Sequence, residues 1–384
     1  MRLLQAARDQ LVARRPDLDR LRVAACLLLF PFHTIEVFDL QPAYHIKSAT
    51  QLVSLECVSR MINAWHMPLF FLLAGMAAMY SIERQPLWMV FVGGRVRRLL
   101  PPLILGLLTI APAIKYLELR GGRDMSHSGV ELVPDWVAPS WSDFYVSFLS
   151  GLEVFSWSHL WFLVYLIILT VLLTPVFIAL HQMSPNAGNR AAPWLIWLPL
   201  PLLLGIEAFL RPMWGDLHNL SEDWANLAIY AIMMVTGAAM IRCPALEAPF
   251  KRQWPRFVCV AVVGIALLLG AWDGIFAGIG RGMADWGVIG FLIGAQPLRR
   301  LGPLPGEAYL VRAQFSVYVL HHLPLVALAY LLCDVSWPIG LRFAAIMFGA
   351  MGITFAVYHF AVRPLVARGN AIVPRSAALA GVRG

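Results

Sequence analysis

Arg22 and His33 lie eleven residues apart within one apolar stretch, Leu21–Phe38. In an α-helix, eleven steps of 100° overshoot three full circles by about 20°, so both side chains point the same way. Along the axis they are roughly 16 Å apart. A guanidinium fork suits a phosphate, and an imidazole suits proton transfer or covalent carriage of an acyl group. A phosphate-bearing carrier with an arm like the pantetheine of coenzyme A would anchor at the first and present its reactive end at the second. Taken singly, Arg22 reads as one more border cation and His33 as a packing histidine; the pairing favours function. Glu36 follows His33 by one helical turn, on a neighbouring face. It reads either as the carboxylate that orients the imidazole, as the third member of a triad does, or as an acid at the outer end of the helix.

Gly93-Gly94-Arg95-Val96-Arg97-Arg98-Leu99-Leu100-Pro101-Pro102 forms a second cluster. Arg95 and Arg98 share a face at i, i+3, and the prolines suit the first turn of a helix. Cations beside unpaired N-terminal N–H groups would make an anion site there. A dense stop for topology is the plainer reading, and it explains the charge better than the spacing. Further candidates are Asn63 and His66 ahead of Met67–Gly75, His159 and Trp161 within Ser158–Leu163, and Tyr318 with His321 and His322. Adjacent histidines on a helix point about 100° apart, so one can face a cavity while the other packs. There is no HExxH or other compact metal motif, no GxSxG and no P-loop, so neither a metal nor a bound cofactor is expected. The five cysteines are scattered through apolar stretches and read as small apolar residues.

The elements that must position these groups follow from composition. Of 384 residues, 59% are apolar and 14% charged, where globular chains carry roughly 25% charge. That excludes a soluble enzyme, a disordered chain and a disulfide scaffold; continuous apolar runs also argue against a β-barrel. The reading is all-α, a polytopic membrane protein of about ten transmembrane helices. They run approximately Leu21–Phe38, Met61–Tyr80, Leu99–Leu117, His159–Leu180, Trp194–Leu210, Trp224–Ile241, Phe257–Phe276, Met283–Leu298, Phe315–Cys333 and Ile339–Val362. Residues 1–20 form a basic N-terminus, 21–362 a single membrane domain and 363–384 a tail. Twenty-two of the 30 Lys and Arg fall in segments that would then share one side, which places both termini in the cytoplasm. The net charge of +8 is thereby explained without a nucleic-acid partner. Phe144–Phe155 is too short to span and is expected at the interface. The polar stretch Glu118–Asp143, with Trp136 and Trp141, is expected outside, where it either lines the approach of a sugar or anchors in the bilayer surface.

In order, these motifs resemble the acyltransferase family 3 membrane enzymes. The matching residues are Leu18-Asp19-Arg20-Leu21-Arg22 followed by His33, the His66–Gly75 run, the Arg95/Arg98 pair before prolines, and Tyr318/His321/His322. Pro31-Phe32-His33, Ser158–Leu163 and the double histidine look most like the branch that succinylates osmoregulated periplasmic glucans. The resemblance implies a multi-pass protein of the bacterial inner membrane that transfers an acetyl or succinyl group from cytoplasmic acyl-CoA, a co-substrate, to a carbohydrate hydroxyl outside. It implies functional roles for Arg22, His33, Arg95 and Arg98; Glu36 stands outside the motif set. A transporter or flippase of an anionic small molecule, built on the same arginines and His33, is the rival reading.

Overall fold

A computed structural model describes residues 15–85, 87–126, 129–151, 154–186, 189–297 and 305–365. The expected N-terminal residues 1–14 and tail residues 366–384 lie outside the described residues. Among those described, nine helices are long and apolar enough to cross a membrane, and the bent pair Glu307–Leu320 with His322–Leu332 makes a tenth. The chain is all-α and polytopic; its described strands are one short antiparallel ribbon, Arg123–Ser126 with Gly129–Leu132.

The spans follow the expected order with displaced edges. The first helix starts at Pro16, not Leu21, because proline in the first turn needs no helical donor and Asp17 and Asp19 meet the positive helix end. The third starts at Trp88, well before Leu99, and carries Pro101, Pro102 and Pro112 inside it. The seventh ends at Gly270 and the eighth starts at Gly274, whose φ of +75° only glycine adopts cheaply. Ile275 and Phe276, expected in the seventh, therefore open the eighth; their apolar character hides the turn from a reading of hydropathy.

Successive spans alternate in direction. One face is tied by Arg15–Glu247 at 3.3 Å, Arg20–Glu307 at 2.9 Å and Arg242–Glu83 at 3.4 Å. The opposite face is tied by Ser48–Asp334 at 2.8 Å and by Trp157 donating to the His218 carbonyl at 2.9 Å. The first face carries both ends of the described chain and is called the basic face below. A Cβ on Gly75 would sit 1.9 Å from the Met234 carbonyl oxygen, and one on Gly237 2.0 Å from that of Leu72. The second and sixth spans thus cross backbone to backbone, which only small residues permit.

The first, second and ninth spans are broken, each just ahead of a proline. Leu28 interrupts the first before Pro31, Ala64 and Trp65 the second before Pro68, and His321 the ninth before Pro324, where the axis turns by 54°. Proline lacks an N–H and crowds the carbonyl four residues back, so Leu27, Ala64 and Leu320 lose their helical donors. Beside these breaks stand His33, His66, His321 and His322. Local chain chemistry therefore puts the histidines where the helix backbone is irregular.

Candidate active site

His33 Nδ1 donates to Glu36 Oε2 at 2.5 Å. With that proton directed at the carboxylate, Nε2 keeps its lone pair. His322 approaches the His33 ring edge-on at 4.5 Å between centroids, His321 at 5.4 Å and Tyr44 at 6.0 Å. His159 stacks on His322 at 4.8 Å, and His45 meets the same ring at 5.1 Å. Five imidazoles from three spans and one loop thus form a single cluster. The bend of the ninth span anchors it. The Tyr318 carbonyl accepts from His321 Nδ1 at 2.7 Å, the Val319 carbonyl from His159 Nε2 at 3.0 Å, and the Tyr318 hydroxyl donates to the His159 carbonyl at 2.7 Å. Both ring nitrogens of His322, His321 Nε2 and His159 Nδ1 have no protein partner. Of the dyad, the His33 and Glu36 side chains stay 15% and 20% exposed, whereas the surrounding histidines are buried. The dyad is the open part of the cluster.

Nitrogens of His33, His321 and His322 lie within 4.8 Å of one another, a grouping that can hold a metal ion. No compact sequence motif announces it, because the residues come from two spans far apart in the chain.

Sequence reasoning missed four contributors. His45 Nδ1 hydrogen-bonds Glu118, and its Nε2 lies 3.2 Å from Ser158 Oγ. Glu118 is fully buried and accepts from Lys115 Nζ at 2.5 Å and from the Met125 N–H at 2.7 Å. Lys115, near the outer end of its expected span, also reaches Asp124 at 2.5 Å. A Lys–Glu pair at i, i+3 ending an apolar span was the available signal. Lys47 Nζ donates to the carbonyls of Glu36 and Asp39 and to Asp39 Oδ1, each at 2.6 Å, and so caps the helix that carries the dyad. Burial pushes the Asp39 carboxyl up to about 6 against the pull of Lys47, and lowers Lys47 itself.

The arginines gather towards the basic face. Arg22 donates to the Leu73 carbonyl at 3.0 Å and Arg95 to that of Ala74 at 3.2 Å. Two guanidinium groups thus sit on successive carbonyls of one helix, with the exposed Arg98 in electrostatic range of both. The expected helix N-terminus at this place is corrected: with the helix starting at Trp88, the N–H groups around Arg95 are spent within it. The cluster is three guanidinium groups on a helix flank.

His66 is set apart from the dyad. Its Nε2 donates to the Ala25 carbonyl at 2.8 Å, and its ring packs on Phe70 at 5.2 Å and Phe32 at 5.9 Å. Asn63 lines a neighbouring cavity instead, and Trp161 stacks on His218 of that lining. Trp136 joins Tyr116 and Phe144 in an aromatic group edge-on at 5.9 and 6.3 Å, against the helix Trp141–Ser150 that buries Phe144 and Phe148 and exposes Val146.

The profile of a family described as an acyltransferase domain matches residues 15–359. Glucans biosynthesis protein C of Salmonella paratyphi B is 27% identical over 380 residues, 90% of this chain and 91% of that protein. The protein of the same name from Escherichia coli (strain SMS-3-5) is 28% identical over 177 residues, 45% of this chain and 41% of that protein. That second alignment spans less than half of the relative. No solved structure matches the chain. The matched segment takes in the three arginines, the His33–Glu36 dyad and the bent ninth span, and the chain belongs to the acyltransferase family 3 of membrane proteins.

Proposed function

We propose that this protein is an integral-membrane O-acyltransferase that takes an acetyl or succinyl group from acyl-CoA held at the basic face and passes it to a carbohydrate hydroxyl. The observation that carries the reading is a carboxylate-paired imidazole, open on one side, on the same membrane span as an arginine eleven residues before it. Arg22, Arg95 and Arg98 hold the donor's phosphates, for which planar guanidinium forks are suited. Glu36 directs the Nδ1 proton of His33 to itself, so Nε2 takes the acceptor hydroxyl's proton as that oxygen bonds to the thioester carbon. The carbonyl oxygen becomes an alkoxide, and His322, with both ring nitrogens unpartnered, has an N–H to offer it. Collapse breaks the C–S bond, and the proton returns from His33 to the sulfur of coenzyme A. Glu36 meets the positive charge that His33 carries in between.

The relatives' name, glucans biosynthesis protein C, supports a glucan-like acceptor. The bias of Lys and Arg towards one side supports a cytoplasmic basic face in a bacterial inner membrane. The acyltransferase profile over residues 15–359 favours transfer over carriage of anions. The test is purified protein in detergent with acetyl-CoA or succinyl-CoA and a β-linked gluco-oligosaccharide. Free thiol should appear only with the oligosaccharide present, which gains the mass of one acyl group. A folded protein that releases no thiol from any acyl-CoA would instead be a transporter. An acylated protein accumulating without acceptor would make His33 an acyl carrier and not a base.

A further inference from the structure

Asp285 lies in the middle of the eighth span, 2% exposed, and its Oδ1 has no hydrogen-bond partner. A carboxyl so placed is costly unless something supplies a donor. It lines a cavity on the side away from the arginines, with Glu207 and Asn226 buried in the walls and Asp216, His218 and Arg281 at the rim. Those walls are already organised. Asn226 Nδ2 donates to Asp216 and Asp223, each at 2.7 Å, and Arg211 donates to Glu207 at 3.1 Å and to Asn226 Oδ1 at 2.8 Å. Against burial, His218, Arg211 and Arg281 hold the Asp216 carboxyl below its ordinary range. Carboxylates and guanidinium groups nearly balance, leaving fixed donors and acceptors with little net charge. That set matches an uncharged polyol, each hydroxyl of which both gives and takes a hydrogen bond.

His218 and Tyr230 give the lining two rings. Trp161 stacks on His218 at 3.9 Å between centroids and 28° between planes. His218 and Leu220 have φ of +50° and +65°, a left-handed backbone that is strained for such residues. The strain is held by Trp157 on the His218 carbonyl at 2.9 Å and by the Leu220 N–H on the Tyr165 hydroxyl at 3.1 Å. A loop kept strained beside a cavity fits a binding role better than a linker. The cavity also lies within electrostatic reach of the dyad. Trp161 follows His159, which stacks on the His322 that touches His33. Asp216 and His218 lie in electrostatic range of Glu36.

We propose that this cavity is the acceptor subsite and takes one uncharged sugar ring, with Asp285 and Asn63 bonding its hydroxyls and His218, backed by Trp161, turning another towards His33. The inference rests on the acyltransferase reading for the direction of transfer, but not for binding. The test titrates full-length wild type, Asp285→Asn and Asn63→Ala in detergent with a β-linked gluco-oligosaccharide, and separately with acetyl-CoA. Asp285→Asn keeps the shape of the side chain, so it should fold. Both variants should lose about tenfold or more in oligosaccharide affinity, the scale of one lost hydrogen bond to a charged or buried group, with acetyl-CoA affinity held within about twofold. Folded variants that bind the oligosaccharide as wild type does would overturn the proposal. So would a wild type that binds acetyl-CoA but no oligosaccharide. If the variants lose sugar affinity while no acyl group is ever transferred, the subsite stands and the acyltransferase reading falls.

Discussion

His33 and Glu36 meet across one helical turn, Nδ1 to Oε2 at 2.5 Å, in a span otherwise built of residues such as Leu29, Phe32 and Val37. In such surroundings a carboxylate sets which ring nitrogen carries the proton and steadies the cation formed when the other is protonated. His33→Ala should lower turnover by at least 10²-fold, the low end for a lost general base. Glu36→Gln should act in the same direction while leaving the donor Kd unchanged. Steady-state rates beside calorimetric donor binding check both; an active His33→Ala enzyme removes the base from the mechanism.

Arg22 and Arg95 sit on adjacent carbonyls of one helix and make a different prediction. Replacing Arg22, Arg95 or Arg98 by Ala should cost roughly 1.5–3 kcal/mol per charge-assisted contact, about ten- to a hundredfold in acyl-CoA Kd. Lys should rescue only in part, because it supplies charge without the planar fork. Normal donor binding in all three Ala variants would move the phosphate site elsewhere.

The second and sixth spans cross at Gly75 and Gly237 with no room for a side chain. Gly75→Leu should abolish the monodisperse folded protein in gel filtration, since the contact is backbone and cannot give way. Gly93→Ala is the control, because a Cβ there meets nothing within 4 Å.

Burial pushes Asp39 and Asp223 each up to about 6, above the ordinary carboxylate value. A pKa raised by folding means that the native state holds the proton more tightly. The associated stability is full below about pH 4 and is lost as pH rises through about 6. Melting temperature in detergent should therefore fall across that window, and Asp39→Asn with Asp223→Asn should flatten the fall. An unchanged slope in the double variant would assign it to other groups.

Arg190 follows the fourth span on the basic face, and residues 121–126 and 129–135 follow the third on the opposite face. Reporter fusions at the two places should read cytoplasm and periplasm respectively. Both reporters on one side would refute the ten-span topology.

Much of this protein is legible from its residues alone. Apolar runs and charged breaks suffice for ten spans in order, with Arg22 and His33 in the first, because the exclusion of charge from lipid is a local rule. The Glu36 partnership was also within reach, as a choice between two readings, since i and i+3 are neighbours on any helix. The tertiary structure decided what local rules cannot. His45 meets Glu118 across 73 positions, and His159 meets the Val319 carbonyl across 160; such contacts depend on which helices pack together. The prolines were visible, but not that the breaks before them would turn His321 and His322 towards His33. The cavity around Asp285 drew no notice because its lining comes from several spans and the loop before the sixth, each carrying only one or two polar residues. A hydropathy reading averages such residues away along the chain. Packing adds them together in space, where the low dielectric makes each one count.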